Sequence, residues 1–315
     1  MTPDFDHDII RTLLYYEIFD HPLTLRELFQ FFPRNSISFG SFRNRVTELA
    51  AAGTVREEGG FYQLAANQTS LEEIRVRRER LAKRRLRISR FMSQIIKRFP
   101  FVRGVFLSGD LSKGVASPPS DIDYVVITEP GRLWVCRSLL ILFKKVFLLN
   151  RKKYFCLNYF VTSDHLGVDE RNYYTATEVA HLKPLYNFPL LLKYMNENTW
   201  IKEYFPNFRL FETVTGPGQQ RRPWLQRIIE MPLQGTLIDN LDKRLMKTMA
   251  SVWRKRYGNL DELTRERIFR STPHESRAFA GNFSTKIDTI YKNKLLSHGI
   301  PGNPIPERQM GSGIS

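Results

Sequence analysis

The sequence predicts an α+β chain built from several units, and three observations carry that reading. Residues 1–66 hold three segments with apolar residues at helical spacing, followed by two short β runs. Residues 101–161 alternate strand and helix signals, and beyond Tyr174 the spacing turns helical with breaks at Pro184, Pro189 and Pro206. A length of 315 residues suits two or three domains. With 42% hydrophobic and 25% charged residues, the composition is that of a folded chain and excludes a largely disordered or collagen-like one.

Each element has a local cause. From Asp8 to Phe19, the residues Ile9, Ile10, Leu13, Leu14, Ile18 and Phe19 share one helical face, and Pro22 stops the helix. Thr24 and Glu27 have the spacing of a capping box, in which hydroxyl and carboxylate each satisfy an orphan N–H, so a second helix starts there. A third begins at Ser38 or Ser41, carries Phe42, Val46, Leu49 and Ala50 on one face, and ends at Gly53; Arg43 and Arg45 lie off that face. Two strands, Thr54 to Arg56 and Phe61 to Leu64, are joined across Glu57-Glu58-Gly59-Gly60 as a hairpin. Three helices and a hairpin make a winged-helix-like domain over 1–66.

Residues 67–100 follow as a basic linker helix. Leu71 to Arg98 holds eleven Lys or Arg against three Glu, half of the net charge of +16. Leu71, Ile74, Leu81, Leu86, Ile88, Phe91, Ile95 and Phe99 predict one apolar stripe docked on a core, with the rest either solvated or facing nucleic acid or phosphate. In the α/β domain, residues 101–175, the expected strands are Val102 to Leu107, Ile122 to Thr128 and Tyr154 to Val161, with a helix over Leu133 to Leu148. A helical region, 176–300, contains a helix over Leu237 to Tyr257 and a Gly216-Pro217-Gly218 loop. Residues 301–315 read as a flexible tail.

Chemistry concentrates where one strand ends in Ser108-Gly109-Asp110 and the next opens with Asp121-Ile122-Asp123. Alternation puts Asp121 and Asp123 on one face, about 7 Å apart along the chain, with Ile122, Tyr124 and Val126 packed behind. Two adjacent carboxylates repel, and a divalent cation bridging them removes that cost and can hold a triphosphate. Gly109 leaves room for backbone N–H groups to approach the phosphate. The plainer alternative is that both acids cap a loop and pair with Arg or Lys.

The layout of strand, Gly109-Asp110, ten intervening residues and Asp121-Ile122-Asp123 resembles the nucleotidyltransferase-fold superfamily. The resemblance covers roughly Val102 to Val161; the wider chain looks like bacterial nucleotidyltransferase-domain proteins. It implies a nucleotidyltransferase-type domain in which Mg²⁺ on Asp121 and Asp123 serves transfer of a nucleoside monophosphate from a nucleoside triphosphate to an acceptor hydroxyl. Ser108, Gly109, Asp110, Ser112 and Lys113 are then the nucleotide-binding loop. Asp110 stands where the family has Ser, putting a negative charge beside the phosphate, which Ser108, Ser112 or Lys113 would offset. The family's third carboxylate, on a later strand, falls on Asn158, whose face is expected to carry Tyr154, Cys156 and Phe160 as well; Asp164 is six residues on. An amide there can touch a metal but is no base.

Other constellations are weaker. Val115-Ala116 follows Gly114 where a P-loop requires Lys and Ser or Thr, and the six His show no HExxH spacing. Cys136 and Cys156 read as reduced core thiols, and Trp200, Trp224, Trp253 and Tyr173-Tyr174 as packing aromatics. Apolar runs are too short to span a bilayer and the N-terminus is acidic, so a cytoplasmic protein with no membrane partner is expected. Nucleic acid is an expected partner for the N-terminal domain and the basic helix. The rival to the enzyme is a winged-helix DNA-binding regulator whose transferase domain only senses nucleotide; a third reading is a partner-binding module.

Overall fold

The computed structural model describes residues 3–35, 37–67, 69–210, 222–278 and 283–301. Among these residues the chain forms thirteen helices and two sheets. Helix α1 (Pro3–Glu17) opens with proline, Asp4 and Asp6, which suit the exposed N–H groups of a helix start. Strand β1 (Leu23–Thr24) leads into α2 (Leu25–Gln30), where the Thr24–Glu27 capping box is formed. Ser38 caps α3 (Phe39–Ala51), and Gly53 takes φ +73 beyond it. Strands β2 (Val55–Glu58) and β3 (Phe61–Leu64) pair across a turn in which Gly59 and Gly60 both have positive φ. The small sheet has the order β1-β3-β2.

Helix α4 (Leu71–Ile96) docks most of the expected apolar stripe, with Leu71 buried and Leu81, Leu86 and Ile88 half-buried against the core, but its deepest side is not purely apolar. Its buried residues are Leu71, Arg75, Ala82, Arg85, Ser89, Ser93 and Ile96, whereas Phe91 is 62% exposed. Small residues let the backbone of α4 approach its neighbours, and the arginines reach past it to carbonyls that would otherwise lack donors. Arg75 donates to the Pro22 carbonyl at 2.8 Å and to Glu27 at 2.9 Å, Arg78 to the Phe19 carbonyl at 2.7 Å, and Arg85 to the Pro118 and Ser120 carbonyls at 2.9 and 2.6 Å. Part of the basic run therefore fastens α4 to the units on either side.

The second sheet contains β4 (Val102–Ser108), β5 (Asp123–Thr128), β6 (Cys156–Thr162), β7 (Lys183–Tyr186) and β8 (Glu275–Arg277), in the order β7-β4-β5-β6-β8. A four-residue turn of helix, α5 (Gly109–Ser112), follows β4. Strands β4 and β5 are antiparallel; β5 and β6 are parallel and joined through α6 (Leu133–Phe147), since parallel neighbours need a crossover. The region beyond Tyr174, expected to be helical, thus also supplies both edge strands of this sheet. Edge strands this short carry little periodicity of their own and are ordered by the partner they pair with.

The helices after β6 are α7 (Tyr173–Ala180), α8 (Phe188–Glu197), α9 (Ile201–Tyr204), α10 (Trp224–Glu230), α11 (Thr236–Arg256), α12 (Glu262–Ile268) and α13 (Phe283–Ser297). Alternation along the strands builds two cores. Phe106, Val125, Ile127 and Val161 join a cluster shared by α1–α3, α7–α9 and α13. Val105, Leu107, Tyr124, Val126 and Phe160 face α6, with Trp134 and Trp253 of α11. The first sixty-six residues, α7–α9 and α13 hence share one core, while α11 and α12 pack in the other. The Gly216-Pro217-Gly218 loop and residues 302–315 lie outside the described residues. No helix among those described is long and apolar enough to cross a membrane.

Candidate active site

The site forms where three adjacent strands end or begin side by side. Ser108 pairs with Asp123 across β4 and β5, and Asp123 pairs with Cys156 across β5 and β6. Beyond Ser108 the chain turns through Gly109 at φ +68, and a Cβ on Gly109 would lie 2.8 Å from Asp123 Oδ2. Glycine meets both demands, the left-handed backbone and the close carboxylate.

Asp121 lies just before β5 rather than inside it, because Ile122 is tied to the other side of the strand. The Ile122 N–H donates to the Lys153 carbonyl at 3.0 Å, its carbonyl accepts from Cys156 N–H at 3.1 Å, and its side chain is buried. Asp121 and Asp123 are half-buried while Ile122 and Tyr124 are buried, so the two acids share the open side as the sequence predicts. Neither has an ion-pair partner among the described residues, which removes the plainer expectation that they pair with Arg or Lys. Burial pushes the Asp123 carboxyl up to about 6; a hydrogen bond from the Cys156 thiol holds it back, and Asp121, Glu178 and Asp110 add to the rise.

The loop preceding Asp121 is held by α4. Arg85, almost fully buried, also donates to Ser120 Oγ at 2.8 Å, and Ser120 Oγ donates to the Ser117 carbonyl at 2.9 Å. Sequence reasoning treated Arg85 as part of a charge run. The signal that marks it is the row of small residues Ala82, Ser89 and Ser93 on the same side of the helix, since a buried stripe of small residues leaves the arginine between them nowhere to go but inward.

The residues expected to form a nucleotide-binding loop are brought together only in part. Ser108 and Gly109 lie against Asp123, and Asp110 is paired with Arg78 at 3.3 Å, which offsets its charge. Ser112 is fully buried and donates to the Gly109 carbonyl at 2.7 Å, so it closes α5 instead of meeting a ligand. Lys113 is spent on an ion pair with Glu178 of α7 and lies 6.0 Å from the Phe19 ring. Glu178 reaches the site from a helix that its sequence position, fifty-five residues beyond Asp123, does not connect to it.

Asn158 is near the site, beside Cys156 as expected, and Phe160 is the residue that leaves that face. Asp123 pairs with Cys156 and Val125 with Tyr159, so β6 carries one residue more than β5 and bulges between them. The bulge breaks alternation: Tyr159 and Val161 pack on the Asp123 side, Leu157 and Phe160 on the other, and Tyr154 precedes the strand. Asn158 Nδ2 donates to Cys156 Sγ at 2.9 Å, and the Cys156 thiol bonds Asp123, so the amide acts on the carboxylate through the sulfur. Cys156 is thus a site residue that its apolar neighbours disguised. Asp164 follows the far end of β6, 4.0 Å from His274 Nδ1, and is no part of the site.

Among the described residues no three His, Cys, Asp or Glu side chains converge as a preformed metal cage. Two unpaired carboxylates do fit Mg²⁺, which typically takes one or two from protein and the remainder from phosphate and water. A cleft of about 740 Å³ lies beside the acids, not over them, between Phe19, α4 and residues 116–118; Asp110 and Arg78 line it. No family model, curated protein or solved structure matches the chain.

Proposed function

We infer that the chain is a nucleotidyltransferase that moves a nucleoside monophosphate from a nucleoside triphosphate to an acceptor hydroxyl. The observation that carries this reading is the junction of Gly109 with Asp123: a glycine in left-handed conformation, packed against one of two carboxylates that have no cationic partner. Asp121 and Asp123 would hold Mg²⁺, which when bound neutralises charge on the phosphates. The chain's own residues supply placement: Gly109 clears space, Arg85 fixes the loop ahead of Asp121, and the Asn158–Cys156 pair orients Asp123. In the transfer the acceptor oxygen bonds the α-phosphorus, the bond to the bridging oxygen breaks, and pyrophosphate leaves. With an amide at Asn158 the acceptor proton has no dedicated base there, which favours an acidic hydroxyl.

The reading is tested by calorimetry with Mg²⁺ and a non-hydrolysable nucleoside triphosphate. Asp121→Asn with Asp123→Asn should abolish Mg²⁺-dependent nucleotide binding while the chain stays folded. Equal binding by both proteins removes the metal and with it the transferase.

The runner-up, a winged-helix regulator with a nucleotide-sensing domain, is favoured by the order β1-β3-β2 and by the diversion of Ser112, Lys113 and Asn158 to internal contacts. Its DNA contact fares worse. Arg45 is taken by Asp6 and Glu48, and the hairpin carries Glu57 and Glu58 with the Glu72 carboxylate packed against Gly59. That surface has the wrong sign for a phosphate backbone.

A further inference from the structure

Helix α4 divides its basic residues between two sides. Arg75, Arg78 and Arg85 point inward and are consumed by carbonyls and acids. Arg77, Arg80, Lys83, Arg84, Arg87 and Arg90 are exposed, and none forms an ion pair with an acid among the described residues. Arg77, Arg80, Arg84 and Arg87 recur at steps of three and four, so they form a single row, with Lys83 and Arg90 flanking it. Glu79, the one acid in the middle of the helix, is drawn aside by Arg75 at 2.8 Å. At the next step of the row stands Phe91, 62% exposed.

We propose that this face of α4 binds the backbone of single-stranded nucleic acid, with Phe91 as a stacking platform for an unpaired base. Six cations in a strip roughly 20 Å long at 1.5 Å per residue make a track for phosphates, and an exposed ring at its end is what a free base can use. A duplex is disfavoured because its bases are stacked on one another and leave no free face for Phe91. An anionic membrane is disfavoured because Phe91 is the one large apolar side chain exposed on α4, which lacks the continuous apolar face that inserts among headgroups. The row begins at Arg77, which also lines the cleft containing Asp110. A strand on the track therefore ends beside the candidate site.

The test uses the full chain, a fluorescent dT₂₀ oligonucleotide, and anisotropy over a salt series. Wild type should bind with log affinity falling against log salt at a slope of about −4, from six released counterions on a single strand. Arg80→Glu with Arg84→Glu and Arg87→Glu should weaken binding at least ~10-fold and bring the slope to about −2. Phe91→Ala should weaken binding about tenfold without altering the slope. Arg43→Glu, on α3, should change neither, and the Asp121→Asn/Asp123→Asn protein should still bind, which separates this surface from the transferase reading. Unchanged binding by the triple variant, a flat salt dependence, or preference for duplex DNA or phosphatidylglycerol vesicles over dT₂₀ would each overturn the proposal.

Discussion

Gly109 concentrates the most consequence in one position. Any other residue there meets two penalties: the left-handed backbone costs roughly 1–2 kcal/mol, and the new Cβ presses on Asp123 Oδ2. Gly109→Ala should lower stability by about that amount and cut Mg²⁺-dependent nucleotide binding by more than the stability loss explains. Thermal melting and calorimetry on the same preparation check both, and a variant that melts lower yet binds normally would show that Asp123 tolerates displacement. Asn158 teaches a different lesson. Its residue type suggests a metal ligand, but its amide is held on Cys156 Sγ, so its influence on Asp123 runs through the thiol.

At the scale of elements, α4 determines how the parts are held. Arg75 Nη1 lies 2.6 Å from His21 Nε2, and because arginine only donates, that nitrogen must be the unprotonated acceptor of a neutral imidazole. Burial holds His21 well below its ordinary value, and Arg75, His181, Arg78 and Lys113 add to the depression. Burial likewise lowers His181, stacked on Phe31, to about 3. For both, the unfolded chain binds protons that the folded chain refuses between the depressed value and about 6.5. Stability is therefore complete above pH 6.5 and falls as pH drops below it, at up to about 1.4 kcal/mol per pH unit for each histidine. Urea denaturation from pH 7.5 to 5 should show this loss, and His21→Gln with His181→Gln should flatten it. An undiminished pH dependence in the double variant would place the acid sensitivity elsewhere.

Over the whole molecule, packing crosses the divisions suggested by the order of elements. Tyr15 meets Tyr173 at 4.5 Å and Tyr291 at 5.3 Å between ring centres, and Phe31 meets Phe205 at 5.1 Å. Cutting after residue 66 would expose these rings and leave the buried His21–Arg75 contact unmade. An isolated 1–66 fragment should lack a cooperative thermal transition and sharp side-chain resonances, whereas the full chain shows both. A fragment that unfolds cooperatively would mean that α1–α3 and their hairpin close a core unaided.

Local chemistry determined a large share of this protein from sequence alone. The Thr24–Glu27 box, the Ser38 cap, the Gly59-Gly60 turn, strands β4, β5 and β6 and the crossover helix α6 all follow from groups within a few residues of one another. The pairing of Asp121 and Asp123 on one open side was legible for the same reason, since alternation is a property of the strand itself. Tertiary structure decided what depends on partners distant in the chain: the edge strands β7 and β8, the inward arginines of α4, the arrival of Glu178 and the extra residue in β6. An arginine reads as solvated until a neighbouring backbone offers it carbonyls. A strand's face can be counted correctly only when its register against the next strand is known.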